Sequence, residues 1–133
     1  MSKRWGRFEA PEEWGREVPY DIRERTFQFA VRVIQAVRRL PDDGATRVVA
    51  YQLVKAATSV GANVEEADGA ESTRDFVHKM SIARKEARES RYWIRTVRAS
   101  IADDDEWTAL QKESEEIARI LSAIINSACR RTQ

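Results

Sequence analysis

Few residues in this chain have types and spacings that could do chemistry. The one histidine, His78, follows Arg74 in the run Arg74-Asp75-Phe76-Val77-His78, which puts a cation and a titratable imidazole about one helical turn apart, a pairing suited to phosphodiester cleavage. A di-metal carboxylate bundle needs Glu-x-x-His pairs from two helices, and one histidine cannot supply both. The single cysteine, Cys129, excludes an internal disulfide framework and a cysteine-rich zinc site, and near the C-terminus it reads as a packed small residue rather than a nucleophile. No Ser/His/Asp or Cys/His arrangement and no glycine-rich phosphate loop is present. The expectation is therefore no catalytic residue, no metal, no cofactor and no enzymatic activity.

What remains is patterned charge. Arg84, Arg88, Arg91, Arg95 and Arg98 recur at spacings of 4, 3, 4 and 3, so on a helix they form one ridge about 20 Å long. Each guanidinium offers a two-pronged donor to a phosphate, which makes the ridge a candidate nucleic-acid-binding surface. The competing reading is a solvated flank whose arginines pair with acids on neighbouring helices. On another flank, Ile82, Glu86, Glu89 and Trp93 mix apolar and acidic residues, as expected where one subunit meets another, with Trp93 the anchor. Ser59, Asn63 and Glu66 are spaced to form a structural polar network, a buried amide and carboxylate fixing register as polar residues do in coiled-coil seams.

The elements that must position these residues are helical. The chain has 133 residues, 34% charged and 42% apolar, with five Gly and three Pro, a size and composition typical of one long-helix domain. A net charge of +1 excludes a protein coated in basic residues and leaves room only for a local basic face. Residues 1–20 place Trp5, Phe8, Trp14 and Tyr20 among charges and are broken by Gly6, Pro11, Gly15 and Pro19, which predicts an irregular N-terminal arm. Residues 21–133 then carry four apolar stripes at helical spacing. The first is Phe27, Ala30, Ile34 and Val37, stopped by Leu40-Pro41. The second, capped by Asp42 or Asp43, is Val49, Leu53, Ala56, Val60, Asn63 and Ala67, closed by Asp68-Gly69 with the glycine in the left-handed conformation. The third opens on Ser72 and runs through Phe76, Met80, Ala83, Ala87, Ile94, Val97 and Ile101. The fourth, behind the acids of 103–106, is Trp107, Leu110, Ser114, Ile117, Leu121, Ile124 and Ala128. Four amphipathic helices on short loops predict an all-α fold, an antiparallel up-down-up-down four-helix bundle. No signal-peptide run and no stretch of membrane-spanning length occurs, so a cytoplasmic protein with no membrane partner is expected.

At residues 26–40 and 52–94 the sequence resembles the four-helix-bundle family named for proteins encoded in intervening sequences of bacterial 23S ribosomal RNA genes. The matching text is RTFQFAVRVIQAVRRLP, QLVKAATSVGANVEEA and RDFVHKMSIARKEARESRYWIR. The resemblance implies a four-helix bundle, a ring-like homopentamer and no established catalytic activity. A related group, accessory proteins of diversity-generating retroelements, is similar in fold and implies a nucleic-acid-binding partner working beside a reverse transcriptase. The functional expectation is thus a self-assembling, non-enzymatic protein that binds RNA, DNA or a nucleic-acid enzyme. The alternatives are a protein-directed adaptor and an Arg/His ribonuclease, though Arg74 and His78 stand one residue closer than the usual Arg-x4-His minimum of such enzymes.

Overall fold

The computed structural model describes residues 18–131; of the arm expected over residues 1–20, residues 1–17 lie outside them and Tyr20 already opens the first helix. Four helices follow in order: α1 (Tyr20–Val37), α2 (Gly44–Asp68), α3 (Thr73–Ser100) and α4 (Asp105–Arg130). Each packs against its neighbours in sequence and α1 closes against α4, while the diagonal pairs make no close backbone approach. The result is an all-α four-helix bundle with no strand among the described residues. No helix among them is long and apolar enough to cross a membrane.

Local sequence explains where the helices begin. Asp43 accepts the Thr46 backbone N–H at 2.9 Å, Ser72 that of Asp75 at 3.0 Å, and Asp104 that of Trp107 at 3.0 Å, each satisfying one of the orphan donors of a first turn. The Thr46 backbone hydrogen bond holds the Asp43 carboxyl below its ordinary value, helped by the Thr46 hydroxyl. Leu40-Pro41 follows the end of α1, since proline has no amide to continue the ladder. The end of α2 departs from expectation: Gly69 has φ −100°, outside the left-handed region. Its N–H donates instead to the Glu66 carbonyl at 3.1 Å, tightening the final turn so that no positive φ is required.

The α3 and α4 seams follow the sequence pattern, with Phe76, Met80, Ala83, Ala87, Ile94 and Val97 facing Trp107, Leu110, Ile117, Leu121 and Ile124 in one core. Burying each of the larger side chains stabilises the fold by roughly 1.5–3 kcal/mol. In α2, Val64 rather than Asn63 occupies the seam. In α1 the inward stripe is Ile22, Thr26, Phe29, Val33 and Ala36, and the expected Phe27/Ala30/Ile34 stripe is turned outward. This helix has two apolar stripes, and Thr26 disguises the buried one. Its hydroxyl donates to the Ile22 carbonyl at 2.9 Å, which removes most of the cost of burying it. Opposite Thr26 stands Gly61, where an added Cβ would lie 3.4 Å from the Thr26 carbonyl oxygen. The glycine lets α1 and α2 approach closely at this level.

Candidate nucleic-acid interface

At 100° per residue, α3 divides into an inward face, two flanks and an outer ridge. The five arginines do not stay together. Arg84, Arg91 and Arg98, seven residues apart, lie on the flank toward α4 and bond to it. Arg84 donates to the Ser122 hydroxyl at 3.1 Å, Arg91 to Glu115 at 2.5 Å, and Arg98 to Gln111 at 2.7 Å and to Asp103 at 2.8 Å. The Arg91 hydrogen bond is the main cause holding the Glu115 carboxyl below its ordinary value, with burial opposing it. These three arginines are latches between helices.

Arg88 and Arg95 are exposed, and among the described residues neither has an ion pair. They share the outer ridge with Arg74, His78, Lys85 and Tyr92, all exposed. The ridge, directed away from the core, runs about 30 Å from Arg74 to Arg95; the half-buried Glu89 lies at its edge, and no exposed acid stands among its members. Arg74 and His78, the pair that could have cleaved a phosphodiester, stand on this convex surface. Among the described residues no cluster of three or more His, Cys, Asp or Glu could hold a metal ion.

A model of the family described as 23S rRNA-intervening sequence protein matches residues 19–123, which take in all of α1, α2 and α3 and most of α4. The chain belongs to this family. It is also similar to a solved protein of unknown function from the S23 ribosomal protein family of Bacteroides thetaiotaomicron VPI-5482. That likeness has TM-score 0.74 and 31% identity, and covers 80% of this chain and 96% of the other. No curated protein matches.

In this intervening-sequence family member the flank expected to meet another subunit is half-buried within the chain. Ile82, Glu86, Glu89 and Trp93 are all of intermediate exposure, and Trp93 packs against the core while its indole N–H donates to Glu89 at 3.1 Å. Burial, and then the charge of Glu89, raises the Glu86 carboxyl above its ordinary value. Nor do Ser59, Asn63 and Glu66 form one network. The Ser59 hydroxyl donates to the Lys55 carbonyl and the Asn63 amide to the Ser59 carbonyl, both at 2.8 Å along their own helix. Glu66 is exposed and pairs with Lys79 of α3 at 2.9 Å.

Sequence reasoning missed the face with the most exposed apolar surface. Of the six large exposed apolar side chains among the described residues, Tyr20, Phe27, Ile34, Val48 and Tyr51 belong to α1 and α2. Between these helices a groove of about 590 Å³ is lined by Tyr20, Phe27, Ala30, Val31, Ile34 and Ala62, among others. A second cleft, between α1 and α4, is charged, and its carboxylates Glu113, Glu115 and Glu116 are engaged by Arg25, Arg91 and Arg119. The signal for the apolar face was in the sequence as the double stripe of α1.

Proposed function

We propose that this chain is a non-catalytic, self-associating bundle that binds nucleic acid along the outer ridge of α3. The observation that carries the reading is the row Arg74, Lys85, Arg88 and Arg95, exposed together on one convex ridge with no acid among them. In a chain of net charge +1, such segregation makes one face attractive to a polyanion while the remainder carries net negative charge. A convex line of cations fits a phosphate backbone, and phosphate contacts position a ligand without reading its sequence. The resemblance to accessory proteins of diversity-generating retroelements points the same way, toward a partner that works beside a nucleic-acid enzyme.

Self-association rests on a different surface. The homopentameric ring implied by the family resemblance needs a face that excludes water, and the α1/α2 face meets that need better than the half-buried Trp93 flank. A second copy of the chain is its occupant.

The ridge is tested by fluorescence anisotropy with a labelled RNA oligonucleotide. Reversing Lys85, Arg88 and Arg95 together to Glu is expected to weaken binding on the order of 100-fold at about 0.1 M salt, because each lost phosphate contact forgoes counterion release. Unchanged affinity in a folded triple variant rejects the reading. Salt-insensitive capture of a protein partner, with no RNA binding, would favour the adaptor.

A further inference from the structure

We infer that the ridge takes single-stranded rather than duplex nucleic acid, with Tyr92 as the residue on which an unpaired base stacks. This rests on the nucleic-acid reading above and adds the class of ligand to it. Tyr92 lies four residues after Arg88 and three before Arg95, so on the helix surface both guanidiniums are its direct neighbours, while a third neighbour, Glu89, is half-buried and engaged by Trp93. Its side chain is 58% exposed. The other exposed aromatic residues among those described, Tyr20, Phe27 and Tyr51, belong to α1 and α2, whereas Tyr92 has a cation on either side along the ridge. An aromatic ring between two phosphate-binding groups matches a ligand that offers a π-face and a phosphate on each repeat, which is a nucleotide strand with its bases unpaired. In a duplex the base faces are covered by stacking and only the base edges reach a groove.

The ring is also held in place. Tyr92 meets Trp93 edge-on, with centroids 4.9 Å apart and planes at 82°. Trp93 is fixed in turn by its hydrogen bond to Glu89 and by packing on the core. Glu89 and Trp93 thus act as positioning residues for a stacking platform. A side chain ordered before binding loses less conformational freedom when the ligand arrives.

Anisotropy titrations of a fluorescein-labelled oligouridylate and of a blunt RNA duplex of equal length test the inference, with circular dichroism confirming that each variant is folded. Tyr92→Leu is expected to bind the single strand about 10-fold more weakly and the duplex as the unaltered protein does, while Tyr92→Phe keeps single-strand affinity. Single-strand binding unchanged in Tyr92→Leu, or weakened equally on both ligands, overturns the inference. If the triple charge reversal abolishes binding in the same assay while Tyr92→Leu has no effect, the ridge stands and the stacking role falls. If the triple reversal also has no effect, both fall.

Discussion

The outer face of α1/α2 and the outer ridge of α3 are both helical, both exposed and both carry tyrosine, yet they present opposite chemistry. On the first, Tyr20, Phe27, Ile34 and Tyr51 accompany a groove lined largely by apolar side chains, and Arg23 at its rim is tied to Glu65 and Asp68. On the second, Arg88 and Arg95 flank Tyr92 and have no ion pair among the described residues. A face that neutralises its charges and exposes apolar area is suited to another protein surface, whereas one that leaves its cations unpaired is suited to a polyanion. The contrast teaches that charge count is a poor guide to a binding surface. Most of the described arginines are held by hydrogen bonds or ion pairs within the fold, and a cation is informative when its own fold gives it nothing to hold.

The largest expected effects come from breaking one face and asking whether the other notices. The triple reversal of Lys85, Arg88 and Arg95 is expected to remove most RNA binding while leaving the mass of the proposed oligomer in light scattering unchanged. Conversely, Phe27→Glu with Ile34→Glu is expected to reduce the proposed assembly to the 15.3 kDa monomer with helicity retained, since both side chains are exposed. An unaltered mass in that variant would return the interface to the Trp93 flank. The Tyr92→Leu substitution, about 10-fold on single strands, comes next.

Smaller effects sharpen the division within α3 itself. Arg91→Ala is expected to lower stability by about 0.5–1 kcal/mol, the range of a partly exposed pair with good geometry, whereas Arg88→Ala is expected to leave the urea midpoint unchanged. Equal midpoints for the two variants would contradict the separation of latches from ridge. The Arg91 latch also has a pH signature. Because Glu115 is held below the ordinary 4.5, it binds more protons unfolded than folded as the medium acidifies. Its stabilising contribution is therefore complete above about pH 4.5 and is lost as pH falls through its lowered folded value. Glu115→Gln should accordingly flatten the acid limb of the stability curve below that pH and leave its neutral-to-alkaline side with the same slope.

Much of this was legible in the sequence, for identifiable reasons. The α3 and α4 seams, the Ser72 cap and the acidic stretches at 42–43 and 103–106 that supply the caps of α2 and α4 rest on spacings and on hydrogen bonds three residues long, which a sequence records directly; the choice of Asp43 and Asp104 within those stretches is made by the fold. The inward face of α1 was not legible, because Phe27/Ala30/Ile34 and Ile22/Phe29/Val33 are both apolar at helical spacing. The choice is made by a threonine that satisfies itself and by the close approach at Gly61. The arginine ridge was legible as a row and not as two sets. Arg91 and Arg88 are equivalent until α4 brings Glu115, 24 residues away, beside one of them. The Asn63 position in α2 was misread for a similar reason, since the adjoining Val64 fits the same seam one residue on.

The most direct test of the central claim is the salt dependence of RNA binding by the unaltered protein, read as the slope of log affinity against log salt. Four ridge cations, Arg74, Lys85, Arg88 and Arg95, give an expected slope of about −3 on a single strand, falling toward zero as they are replaced. A slope near zero in the unaltered protein, or an equally steep slope after Lys85, Arg88 and Arg95 are reversed, would contradict the assignment of the α3 outer ridge as the nucleic-acid surface.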